Sequence, residues 1–150
     1  VMAGTIFSNI VGATGLTIDD AWAAARNAAL DKDVESMPMG MHTVIAQGGG
    51  TLSGGQKQRL LIARSLAADP RMVFFDEATS ALDNVTQATV SESLESLRVT
   101  RVVIAHRLST IRHADRIIVL EKGKIVQMGK FDELVAVPGA FQRLAKRQMA

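Results

Sequence analysis

The first forty residues place apolar side chains at helical spacing. Ala21, Trp22, Ala25, Ala28 and Ala29 fall near one face, and Thr17 with Asp20 three positions on has the form of a capping box, so a helix is predicted from there to about Leu30. One helical turn at 5–10 precedes it and is broken by Gly12 and Gly15; a second short helix at 31–37 ends at Pro38. Residues 40–50 read as loop. From Ser53 to about Ala68 the helical period returns, with Leu60, Leu61, Ala63, Leu66 and Ala67 predicted inward and Lys57, Arg59 and Arg64 outward. Asp69-Pro70 stops this helix.

The pattern then changes period. Met72-Val73-Phe74-Phe75 is a continuous apolar run, which predicts a strand buried on both faces of a parallel sheet. A helix over 84–98 follows, with Asp83 or Asn84 as its cap, and Val102-Val103-Ile104-Ala105 is a second predicted buried strand. A short helix near 109–113 leads into a strand at 116–120. Glu121-Lys122-Gly123-Lys124 turns the chain into a partner strand at 125–128, a hairpin, and amphipathic helices at 131–136 and 139–148 close the sequence. Strand, helix, strand, helix, strand is the order of an α/β sheet with parallel core strands. There are no internal repeats.

Composition narrows the class. With 47% hydrophobic and 21% charged residues over 150 positions, the chain has the means to bury a core. A net charge of +2, with basic residues scattered along helices and not interleaved with aromatics, argues against nucleic acid as a partner. The absence of cysteine excludes disulfides and thiolate metal sites and fits a reducing compartment. No apolar run approaches the roughly 20 residues that cross a bilayer, and the start lacks the charged and apolar regions of a signal peptide. Beginning at Val1, the chain reads as a piece of something longer.

Candidate chemistry gathers at two places. Leu52-Ser53-Gly54-Gly55-Gln56 opens the long helix, where a serine and two glycines leave backbone N–H groups bare at the positive end of the helix dipole. That combination receives phosphate. The apolar run at 72–75 ends in Asp76-Glu77, and His106 follows the next strand; in open α/β sheets such strand ends share one rim, where ligands sit. Taken singly, Asp-Glu at a strand end is a cap with a solvated charge, and a lone histidine is a structural residue. Their order and spacing decide otherwise.

The series LSGGQ, FFDEATSALD and AHR resembles the signature half of an ABC-transporter nucleotide-binding domain, a P-loop NTPase (RecA-like) core fragment with parallel strands plus the ABC helical subdomain. The resemblance divides the chain at about residue 68, with the helical subdomain and signature helix before it and the C-terminal part of the RecA-like core after it. It implies ATP and Mg²⁺ as cofactors. Asp76 corresponds to the Walker B aspartate that holds Mg²⁺ through a water, Glu77 to the residue that orients and activates the attacking water, and His106 to the switch histidine at the γ-phosphate. Ser80-Ala81-Leu82-Asp83 matches the D-loop, which crosses between two subunits. The implied partners are a second nucleotide-binding domain, packed head to tail so that the signature of one covers ATP on the other, and the transmembrane domains of a transporter. The implied place is the cytoplasmic face of the cell membrane. The stretch 5–10 is similar to exporters, with peptide or bacteriocin exporters the nearest sub-family, and Gln47 stands where such members commonly carry Glu. Trp22 and the methionines at 37, 39 and 41 are assigned to packing or to a partner surface.

One part of the family pattern is missing. Neither Gly123-Lys124 nor Gly129-Lys130 belongs to the phosphate-cradling G-x-x-x-x-G-K-[ST], and the adenine-stacking aromatic and the Q-loop glutamine would fall before Val1. The expectation is half of a bipartite site, inactive by itself. In the family the P-loop strand lies between the strand at 102–105 and that at 116–120. Without it the strands are expected to close up, swap between chains or associate edge to edge. The alternative function is a soluble ABC ATPase of DNA repair or translation, or a non-catalytic interaction module.

Overall fold

The computed structural model describes residues 1–47, 50–76, 82–97, 99–105 and 108–149, with the side chains of 84, 109 and 149 excepted. Cα packing divides the chain into two units, Val1–Val102 and Val103–Ala150.

The first unit is built on helices. β1 (Gly4–Thr5) runs into α1 (Ile6–Val11), capped by Thr5, whose side chain accepts from the Ser8 amide. Gly12 ends α1 at φ 63°, a left-handed turn that a side chain would disfavour. α2 (Ile18–Asn27) starts at the predicted Thr17/Asp20 box: Thr17 Oγ1 accepts from Asp20 N at 3.3 Å, and Asp20 Oδ2 accepts from Thr17 N at 2.7 Å. α3 (Asp31–Glu35) follows. The segment predicted as loop carries a 3-10 turn (Gly40–His42) and β2 (Val44–Ile45), antiparallel to β1 with Gly4 opposite Ile45. A two-residue strand has no periodicity to read, which is why the sequence did not show it.

α4 (Gly54–Leu66) packs on α1 and α2, and Ile6, Ile10, Ala21, Ala24, Ala25, Leu60, Ile62 and Ala63 make one dry core. Small alanines let the helices approach closely, which places Trp22 at the core margin, Met41 inside it and Met39 in solvent. Buried Asn9 is fully used: its Oδ1 accepts from Met2 N at 2.9 Å and its Nδ2 donates to the Met2 and Thr5 carbonyls. Two inward and outward assignments reverse on α4. Leu61 is exposed, and Arg59 is turned inward by an ion pair.

β3 (Met72–Asp76) and β4 (Thr100–Ile104) are neighbours in one sheet and are joined through α5 (Asn84–Ser96), the crossover that a parallel pair requires. β3 is not buried on both faces as predicted. Val73 and Phe75 enter the helical core while Met72 and Phe74 face solvent, and all five residues of β4 are exposed. An apolar strand is covered on both faces only when a layer lies on each side, and among the described residues one side carries none.

The second unit holds α6 (Leu108–Ile111), the hairpin of β5 (Ile117–Glu121) and β6 (Lys124–Gly129), α7 (Phe131–Ala136) and α8 (Ala140–Met149). Lys122 (φ 49°) and Gly123 (φ 75°) form the two-residue hairpin loop. Ile117, Leu134 and Phe141 are its core, with Phe131 edge-on to Phe141 at 5.6 Å. The described strands form three two-stranded sheets, β1 with β2, β3 with β4 and β5 with β6.

Candidate functional site

Ser53 is the N-cap of α4, with extended backbone at φ −63° and ψ 163°. Its Oγ accepts from Gln56 N at 3.2 Å, and Gln56 Oε1 accepts in return from Ser53 N at 2.9 Å, a reciprocal capping box. The box changes what the tip can offer. Gln56 N–H is spent on Ser53, so it is not among the bare amides expected from sequence. The first intrahelical bond runs from Lys57 N to Ser53 O at 3.0 Å, which leaves the amides of Gly54 and Gly55 as first-turn donors with no acceptor inside the helix. Ser53 Oγ has accepted one bond and keeps its proton to donate. Ser53 and Gly54 are exposed, Gly55 and Gln56 half-buried, and Leu52 buried as the anchor of the turn. A hydroxyl and two amides therefore face outward at the positive end of a 13-residue helix, the arrangement that receives an anion.

Behind the tip lies a contact that the sequence did not reveal. Gln56 Nε2 donates to Asp33 Oδ1 at 2.8 Å, and Arg59 Nη1 donates to Asp33 Oδ2 at 2.6 Å and also to the Ala29 carbonyl. Ala29 sits at φ 52° in the turn between α2 and α3. Asp33 precedes Gln56 by 23 residues, so no local motif links the two.

Asp76 is the last residue of β3 and is exposed. A single hard carboxylate at a strand end suits Mg²⁺, which keeps several waters and takes only one or two carboxylates, and among the described residues no group of three metal-binding side chains is present. Asp83 caps α5 with both oxygens: Oδ1 accepts from the amides of Val85 and Thr86 at 3.1 and 3.0 Å, and Oδ2 from Thr86 Oγ1 at 2.7 Å. The backbone bond from Thr86, then its hydroxyl, hold the Asp83 carboxyl below its ordinary pKa. Glu77, Ser80 and His106 lie outside the described residues. Leu52 to Gln56 are thus brought together on one helix tip, while Asp76 and Asp83 stand at the two ends of the stretch 77–82.

Comparison with known proteins decides the family. The family model described as ABC transporter matches residues 3–80, which takes in all of α4 and β3. The chain belongs to the ABC transporter family. It is 47% identical to the ATP-dependent lipid A-core flippase of Bordetella pertussis over 96% of this chain and 24% of that protein. It is 43% identical to the mycobactin import ATP-binding/permease protein IrtB of Mycolicibacterium thermoresistibile over 98% of this chain and 26% of that one. Among solved structures, a bacterial Atm1-family ABC exporter with ATP bound superposes on the whole chain at a TM-score of 0.95 and 36% identity, and the chain covers 27% of it. The chain spans about a quarter of the length of these relatives. Its fold is that of the ABC ATP-binding domain, a P-loop NTPase α/β core with parallel strands and the ABC helical subdomain. Among the described residues no helix is long and apolar enough to cross a membrane.

Proposed function

We propose that this chain is the signature-bearing part of an ATP-hydrolysing domain that drives an ABC exporter at the cytoplasmic face of the cell membrane. The observation that carries the reading is the α4 tip: Ser53 hydroxyl, Gly54 N–H and Gly55 N–H, all free to donate to the terminal phosphate of a nucleotide. Leu52 holds the turn and Gln56 completes the cap. The functional division falls at about residue 68, the helical subdomain and signature helix before it and the C-terminal core after it. The partner assigned to this tip is a second nucleotide-binding domain packed head to tail, whose bound nucleotide the donors of Ser53, Gly54 and Gly55 would cover. The membrane partner is a set of transmembrane domains.

Asp76 is the residue that would hold Mg²⁺, which when bound would supply neutralisation of charge on the phosphate oxygens. Glu77 orients the attacking water and accepts its proton, and His106 hydrogen-bonds toward the γ-phosphate and steadies that water. Ser80 and Asp83 belong to the crossing between the two domains, with Asp83 fixed there by its cap on α5. Charge stabilisation and positioning are what phosphoryl transfer requires, and these residues supply both. The cargo is set by the membrane part. A lipid A-core flippase and a mycobactin importer both carry close counterparts of this chain.

The test is Glu77→Gln in the full-length transporter. Turnover should fall by about 10²- to 10⁴-fold, the worth of a positioned general base, while nucleotide binding is retained. An active Glu77→Gln variant removes Glu77 from the mechanism. The 150-residue chain by itself should neither bind ATP at micromolar concentration nor release phosphate from it.

A further inference from the structure

Asp33 grips two residues of α4 at once, and what it grips sets the state of the tip. The carboxamide of Gln56 has one accepting end and one donating end, and both are engaged: Oε1 receives Ser53 N–H, and Nε2 donates to Asp33 Oδ1. A carboxylate can only accept, so Asp33 dictates which end of Gln56 turns toward it. Were that carboxamide turned over, its NH₂ would face the Ser53 N–H, two donors would meet, and the capping box would open. Asp33 Oδ2 meanwhile holds Arg59, one turn further along the same face of α4, and Arg59 is tied as well to the Ala29 carbonyl. Its side chain is 13% exposed and that of Asp33 26%, so the contact is shielded from competing water.

We propose that Asp33 is the positioning residue of the α4 tip: by fixing the polarity of Gln56 and the rotation of α4 through Arg59, it keeps Ser53 capped with its hydroxyl proton turned outward for phosphate. The proposal rests on the reading of that tip as a phosphate receptor. Asp33 touches no substrate. It acts through Gln56, and this separates it from an ion pair that merely steadies the helices. An ion pair survives exchange of its charges, whereas the carboxamide of Gln56 does not tolerate a donor in place of an acceptor.

The experiment measures ATP turnover and melting temperature in the full-length transporter for Ser53→Ala, Asp33→Asn and the double exchange Asp33→Arg/Arg59→Asp. The exchange re-forms the ion pair but gives up the Arg59 bond to the Ala29 carbonyl, so it should recover part of the melting temperature that either single exchange loses, yet leave turnover about tenfold down, as expected when one hydrogen bond to the reacting phosphate is lost. Asp33→Asn keeps the volume, sends its oxygen to Arg59 and its NH₂ to Gln56, and should lower turnover to a similar extent with melting little changed. Should the exchange fail to restore folding, Asp33→Asn decides alone. Full turnover in Asp33→Asn, or recovery of turnover together with melting in the exchange, overturns the role of Asp33. Unchanged turnover in Ser53→Ala would instead overturn the reading of the tip itself.

Discussion

The helical core and the sheet strands of this chain treat their apolar residues in opposite ways. In α1, α2 and α4 the core-facing large side chains are covered by each other, with Ile6, Ile10, Leu60 and Ile62 essentially inaccessible, and of the large apolar side chains on these helices only Ile18 and Leu61 are turned outward. In the strands the same residue types stand in solvent, with Phe74 at 72%, Leu120 at 64% and Ile125 at 61% exposure. On the hairpin this is one-sided. Ile118 pairs with Met128 and Leu120 with Ile125 on the outer face, while Ile117 lies in the core beneath α7 and α8. Helices bury a stripe and can satisfy it among themselves, but a sheet has two faces and needs a layer on each. The helical part covers its own core-facing side chains, while the strands leave an apolar face uncovered among the described residues.

The largest effect is expected in the helical core. Leu60→Ala should cost about 2–5 kcal/mol, the range for a buried leucine emptied in a packed core, and should show as a large fall in the urea midpoint of the chain. Next in size is association. The uncovered strands should draw copies together, so sedimentation of the 150-residue chain should show concentration-dependent oligomers. Phe74→Lys and Leu120→Lys should reduce them, and a strictly monomeric chain contradicts the picture. Smaller again, Leu120→Ser should change the stability of the chain by no more than about 0.5 kcal/mol, because Leu120 is largely exposed among the described residues. A Leu120→Ser effect as large as that of Leu60→Ala would show that the strand face is covered after all.

The smallest effect comes from acid. Asp20 and Asp83 are both held below their ordinary carboxyl pKa of 3.8 by bonds from Thr17 and Thr86, backbone first and hydroxyl second. A carboxyl with a lowered folded pKa stabilises the fold above its unfolded value, and that contribution disappears as pH falls through the folded one. Stability should therefore be level near neutral pH and decline below about 3.8. Asp83→Asn should flatten part of the decline, as read from urea midpoints across that range.

Much of this was legible along the chain. The Thr17/Asp20 box, the helix start at Ser53, the stop at Asp69-Pro70, the turn at Lys122-Gly123 and both closing helices follow from local chemistry, and the structure places them where the sequence put them. What failed depended on distance. Arg59 reads as an outward cation by period, and its distant acceptors, Asp33 26 residues earlier and the Ala29 carbonyl, explain why it turns in. The strands at 72–75 and 102–105 have the composition of doubly covered strands, and their exposure reflects which layers the chain carries, a property no window of sequence contains. At the candidate site, the tip of α4 was read correctly as an open helix start, but with one amide too many, because the box takes the Gln56 N–H.

The outward donors of Ser53, Gly54 and Gly55 are proposed to receive phosphate, and the sharpest test of that role is Gly54→Asp. Gly54 is the first residue of α4, where a carboxylate favours the helix dipole, so the substitution should leave melting unchanged or raise it slightly. The same negative charge opposes phosphate at the tip. ATP turnover of the full-length transporter carrying Gly54→Asp is predicted to fall at least about tenfold, the worth of one charge-assisted hydrogen bond, with the fold intact. Turnover equal to that of the unchanged protein would contradict the account.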